Sequence, residues 1–180
     1  MTTNNSPKTN LVLTGFMGTG KTTIGRLLAG QLGYEFVDTD VLIEERQGRT
    51  IPEIFAELGE AAFRRMEAEL AVELGRREGL VISTGGRLML DPANAAALGR
   101  RGRVFCLVAS PEEILRRLQS DTDHPRPLLA GDNPGERIAA LLAERAAGYG
   151  RFRQVDTSGR PPQQVAAELL ALFATATQAS

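Results

Sequence analysis

The sequence predicts a three-layer α/β fold built on a parallel sheet, and three observations carry that prediction. Short continuous apolar runs, as at 80–83 and 104–108, have the composition of strands covered on both faces. Between such runs lie segments with apolar residues three and four apart, as at Ile24, Leu27, Leu28 and Leu32, the spacing of a helix face. The connections are short, so alternating strands and helices with right-handed crossovers, helices on both faces of the sheet, bury these surfaces best.

Taken in order, residues 10–14 read as a buried strand, followed by a Gly-rich turn and a helix over 22–32. Residues 35–38 form a second strand, and 41–47 and 51–58 two short helices. A longer helix spans 60–77, with Phe63, Met66, Leu70 and Leu74 facing inward and the charged residues on its other faces. Strands follow at 80–83 and 104–108. The helices over 92–98 and 111–118 each begin with proline behind an N-cap, Asp91 and Ser110. Residues 119–134 are polar and proline-containing, and read as a mobile loop. A helix over 135–149, a weak strand over 154–157 and a helix over 161–174 close the chain, leaving polar tails at 1–9 and 175–180.

The 180 residues, 42% hydrophobic and 24% charged, suit one domain, placed at 10–174, with no internal repeat or linker. Lys and Arg number 21 against 22 Asp and Glu, a net charge of −1, so no positive field exists to grip nucleic acid without sequence preference. No apolar run approaches the roughly 20 residues that cross a bilayer, and the N-terminus lacks the apolar core of a secretory signal. The lone Cys106 lies in an apolar run and forms no internal disulfide. A soluble cytoplasmic protein, with monomer as the default state, is the expectation.

Gly15-Phe16-Met17-Gly18-Thr19-Gly20-Lys21-Thr22 fits the phosphate-cradling pattern G-x-x-x-x-G-K-[ST], and it lies between a strand and a helix as that pattern requires. Glycines let backbone N–H groups converge, the helix N-terminus adds partial positive charge, Lys21 reaches the β- and γ-phosphates and Thr22 offers its hydroxyl to Mg²⁺. Every basic residue except Lys8 and Lys21 is an arginine, which singles out a lysine in this loop. No Asn-Lys-x-Asp segment of the guanine-reading kind is present, which favours a kinase of small metabolites.

The second strand ends in Asp38-Thr39-Asp40, at the sheet edge where open α/β folds bind ligands. Asp38 suits Mg²⁺ through water; Asp40 reads either as the N-cap of a helix starting at residue 41 or as the group that takes the acceptor's hydroxyl proton. Arg64 and Glu67 are three apart on one helix face: a surface ion pair, or a guanidinium fixed to meet a substrate carboxylate. Gly85 and Gly86 after the third strand read as a tight turn or as backbone open to a ligand. Arg126, between Pro125 and Pro127 in the polar loop, reads as solvated or as a lid cation closing on the phosphates. His124 has no partner that suggests catalysis.

Together these motifs, with Phe63, Arg145, Tyr149 and Val155-Asp156-Thr157, resemble the shikimate kinase family over residues 10–173 in order and spacing. The resemblance implies a nucleoside-monophosphate-kinase-like P-loop fold with a five-stranded parallel sheet, a substrate-binding segment at about 41–70 and a lid at about 119–134. It also implies ATP-dependent, Mg²⁺-dependent phosphorylation of the 3-hydroxyl of shikimate. By position, Gly18, Thr19, Gly20, Lys21, Thr22, Thr23, Arg117, Arg126 and Arg160 would bind ATP. Asp40, Arg64, Gly85, Gly86 and Arg145 would bind shikimate; Thr22 and Asp38 would hold Mg²⁺; Lys21, Asp40 and Arg126 would act in catalysis. Arg87 departs from the pattern, since the family usually has a third glycine there. At positive φ, arginine would be strained by roughly 1–2 kcal/mol; at negative φ it is harmless. A kinase of another hydroxy acid such as gluconate, or a non-catalytic sensor, are the alternatives.

Overall fold

The computed structural model describes residues 8–120 and 133–175. Five strands, β1 (Asn10–Gly15), β2 (Glu35–Asp38), β3 (Leu80–Ser83), β4 (Gly102–Val108) and β5 (Arg153–Asp156), form one parallel sheet in the order β2-β3-β1-β4-β5. β1 and β3 lie inside the sheet and are buried along their whole length, which is why their centres, residues 11–13 and 80–82, are continuously apolar.

Alternation along each strand sends successive side chains to opposite layers. Leu11, Leu13, Val81, Phe105, Leu107 and Val155 pack beneath α1 (Lys21–Leu32) and α8 (Pro162–Thr175). Val12, Leu80 and Ile82 face α2 (Thr39–Gln47), α3 (Ile51–Leu58), α4 (Glu60–Leu74) and α5 (Pro92–Gly99). A third cluster joins Phe16 and Cys106 to α6 (Pro111–Ser120) and α7 (Pro134–Tyr149).

Three local features differ from the sequence reading. α2 begins at Thr39, not at residue 41, because the Asp38 carboxylate caps it by accepting from the Asp40 N–H at 3.2 Å; Asp40 is therefore not the cap. α4 stops at Leu74, since Gly75 follows with its Cα against the Ala97 carbonyl, where a Cβ would stand 2.3 Å away. The inward stripe of α4 includes a charge: Glu67 is only 2% exposed. Asp91 and Ser110 do cap α5 and α6, accepting from Ala93 N at 2.7 Å and Glu113 N at 3.2 Å. At the two ends of the stretch 119–134, Ser120 closes α6 and Pro134 opens α7.

Candidate active site

The carboxyl ends of β1, β2 and β3 deliver three turns to one edge, with the α7 side chains arriving from across the sheet. In the first turn, Gly15, Gly18 and Gly20 all have positive φ, and at Gly15 a Cβ would stand 2.2 Å from the Leu107 carbonyl. Only glycine serves there. Thr19 donates to the Phe16 carbonyl at 2.7 Å, and Lys21 Nζ donates to the Gly15 and Phe16 carbonyls at 2.9 and 2.8 Å, folding across the mouth of the loop.

Thr22, at the start of α1, donates its hydroxyl to Asp38 Oδ2 at 2.9 Å. A hydroxyl and a carboxylate held together are hard oxygen donors that suit Mg²⁺ completed by phosphate and water. Among the described residues no group of three or more His, Cys, Asp and Glu side chains could hold a metal by itself. Two protein oxygens plus a nucleotide's oxygens is the arrangement that fits.

Asp40 lies one helical position inside α2, with Oδ1 buried and without a hydrogen-bond partner. Burial first, then the charges of Asp38 and Glu67, push its pKa up to about 6, while Lys21 pulls it down. Gly85 explains its position: a Cβ there would be 2.4 Å from Asp40 Oδ1, so glycine makes room for the carboxylate. The Gly85 N–H donates to Thr39 Oγ1 at 2.8 Å and is thus committed to the protein, as the tight-turn reading of this pair has it. Thr39, which locks this turn to α2, carries no sequence signal beyond its place between two aspartates.

The next glycine faces the other wall. A Cβ on Gly86 would lie 3.7 Å from Arg145 Nη1, and the Gly86 carbonyl accepts from the Tyr149 hydroxyl at 2.5 Å. Arg145 stands 5.2 Å over the Phe16 ring, and its buried Nε has no hydrogen-bond partner. Arg64 on α4 donates through Nη1 to the buried Glu67 at 2.6 Å, and through Nη2 and Nε to Glu60 at 2.9 and 3.2 Å. Burial pushes the Glu67 pKa up although Arg64 opposes it. Arg64 and Glu67 are thus more than a surface pair, and Glu60, four residues earlier on the same face, is the partner sequence reading missed.

A separate cavity of about 460 Å³ opens beside the phosphate loop, lined by Thr19, Gly20, Thr23, Arg116, Arg117 and Arg160 among others. Arg117 is tied on every side: Nε to Glu113 at 2.7 Å, Nη1 to the Gly18 carbonyl at 3.1 Å and Thr157 Oγ1 at 3.0 Å, and Nη2 to the Thr157 carbonyl at 2.6 Å. Arg160 donates to the Asp156 carbonyl at 2.7 Å and to Glu168 at 2.7 Å. Both guanidiniums are pre-positioned, leaving their faces to the cavity. Arg126 and His124 lie outside the described residues.

A phosphate loop leading into α1, an acidic pair after β2 and a five-stranded parallel sheet define the class: this is a P-loop kinase fold. A family model for shikimate kinase matches residues 17–174. A shikimate kinase of Geobacter metallireducens is 47% identical over 161 residues, 89% of each chain. One from Thermus thermophilus is 48% identical over 165 residues, 91% of this chain and 89% of that one. The structure of a shikimate kinase from Acinetobacter baumannii in complex with shikimate superposes with a TM-score of 0.84 at 38% identity, covering 93% of this chain and 94% of that one. The chain belongs to the shikimate kinase family.

Proposed function

We propose that the chain transfers the γ-phosphoryl group of ATP to the 3-hydroxyl of shikimate through the residues assembled above. The observation that carries the reading is a pair of unpartnered polar atoms, Asp40 Oδ1 and Arg145 Nε, on either side of the Gly85-Gly86 turn. An acceptor that brings a hydroxyl to one and a carboxylate to the other satisfies both.

Asp40 accepts the proton of the 3-hydroxyl as its oxygen bonds to the γ-phosphorus; the bond from that phosphorus to the β–γ bridging oxygen breaks, and ADP leaves with the charge on its terminal phosphate. Lys21, freed from the loop carbonyls it now spans, meets the developing charge on the transferred group. Arg64 and Arg145 orient the carboxylate, and Gly85 and Gly86 let the ring approach. Gly18, Thr19, Gly20, Thr22 and Thr23 hold the phosphates, and Arg117 and Arg160 flank the base. Thr22 and Asp38 would hold Mg²⁺, which would screen the charge of the phosphate oxygens. Arg126 in the segment between α6 and α7 supplies the closing cation, with residues 41–70 as the acceptor-binding part of a single domain. The protein works as a cytoplasmic monomer without nucleic acid or membrane.

The test is ADP release with Mg-ATP and either shikimate or gluconate. Release that depends on shikimate, and not on gluconate, is the expected result. Folded protein that binds ATP but releases no ADP with shikimate overturns the assignment, and release with gluconate alone moves it to another acceptor.

A further inference from the structure

Arg87 follows directly on the Gly85-Gly86 turn and opens the 3-10 turn Leu88–Leu90, whose Leu88 and Met89 are buried. Its φ is −110°, so arginine stands there without left-handed strain. The side chain is exposed and makes no hydrogen bond or ion pair among the described residues. It nonetheless sits in a defined place. The preceding Gly86 faces Arg145 and holds the Tyr149 hydroxyl, while α4 and α7 pack against the 3-10 turn from either side. The Arg87 charge acts on Glu60 and Glu67 of α4 and on Tyr149 of α7.

Charge balance around the acceptor gives this placement its meaning. Arg64 already carries two carboxylates, Glu60 and Glu67, so an incoming carboxylate meets a guanidinium that is more than neutralised. Arg145 adds a second positive charge, and Asp91, which also acts on Glu67, a third negative one. Asp40, at the hydroxyl end, is faced by Lys21. Arg87 is the third positive charge that offsets Glu60, Glu67 and Asp91; without it an incoming carboxylate meets net negative charge.

We propose that Arg87 is a third arginine of the acceptor site, a specificity residue whose positive charge offsets the surrounding carboxylates so that the site accepts the acceptor's carboxylate. The inference rests on the shikimate reading above. It predicts a binding contribution that is electrostatic and offset by Glu60, a pattern that a purely structural role for Arg87 lacks.

The experiment measures steady-state kinetics of the full chain and of Arg87→Gly, Arg87→Lys and the Arg87→Gly, Glu60→Gln double variant, with shikimate varied at saturating ATP and at low and high salt. Arg87→Gly should raise the KM for shikimate about three- to tenfold at low salt, with a smaller change in kcat and none in the KM for ATP. Its KM should also depend less on salt than that of the unaltered chain. Arg87→Lys should recover part of the loss, and removing the Glu60 charge should lower the KM of the glycine variant. Equal shikimate KM and equal salt dependence in the unaltered chain and Arg87→Gly overturn the proposal, as does a fall in kcat alone. Absence of shikimate turnover in the unaltered chain overturns the underlying reading and the inference with it, and is distinguished by that control.

Discussion

Asp40 sits where burial, Asp38, Glu67 and Glu44 all favour its protonated form and Lys21 opposes them. Turnover needs the ionised carboxylate, so kcat/KM for shikimate should rise with pH through an apparent pKa near 6 and then level off. The same shift has a stability consequence of opposite use. An acid whose pKa is about 6 when folded against 3.8 as its ordinary value binds more protons folded than unfolded between those pH values. Stability therefore falls as pH rises through that window and stays lower above it. Asp40→Asn should lower kcat by about 10² or more while raising stability at pH 8 by about 1–3 kcal/mol. Thermal melts and kinetics on one preparation check both; a variant that loses turnover and stability together contradicts the burial argument. The aspartate itself was legible, standing two residues after Asp38 at a strand end. Its environment was not, because Gly85 and Glu67, which set it, are distant in sequence and only the fold brings them close.

At the scale of elements, the turn after β3 shows that two adjacent glycines do different work. Gly85 gives way to the Asp40 carboxylate, where a Cβ would stand at 2.4 Å, whereas a Cβ on Gly86 meets only ordinary contacts from 3.7 Å outward. Gly85→Ala should displace either Asp40 or the Thr39 hydrogen bond, with kcat reduced about 10²-fold and a lower Tm. Gly86→Ala should keep the Tm of the unaltered chain, its effect confined to the KM for shikimate. Comparable melting losses in both variants would refute the distinction. The sequence marked this turn as a pair of glycines without telling them apart, since close approach is a property of the partner and not of the pair. Helix starts were well marked where proline and a cap stood together, as at Asp91 and Ser110. The α2 start was misplaced by two residues because Asp38 and Asp40 are equally good caps on paper, and Thr22 and Asp40 N converge on the first of them. The pairing of Glu67 with Arg64 is legible from their spacing, but its burial is not, because a helical pattern assigns charges outward and only that pairing makes burial tolerable.

At the scale of the whole molecule, alternating strands and helices gave the layers, but the order β2-β3-β1-β4-β5 depends on pairings between segments some 70 residues apart, such as Leu11 with Val81. That order places the phosphate loop beside both the β3 turn and the end of β4, so acceptor and nucleotide sites share one edge. Arg117 is the residue that joins the nucleotide side together. From α6 it binds the Gly18 carbonyl of the phosphate loop and both the hydroxyl and the carbonyl of Thr157 after β5, while Glu113 steadies it from the same helix. Its side chain is 22% exposed, so these charge-assisted bonds are only partly screened. Arg117→Ala removes the side-chain donor that ties the Gly18 carbonyl to the hydroxyl and carbonyl of Thr157 and lets the loop ends separate. The KM for ATP should rise about tenfold and stability fall by about 1–3 kcal/mol, a Tm loss of roughly 2–4 °C per kcal/mol. The KM for shikimate at saturating ATP should stay within about a factor of two, because Arg64, Arg145 and Asp40 are held by α4, α7 and α2 and not by Arg117. Parallel titrations of the two substrates decide the matter: an unchanged KM for ATP removes Arg117 from the nucleotide site, and an equal rise for both substrates shows that the two halves of the edge are not independently supported.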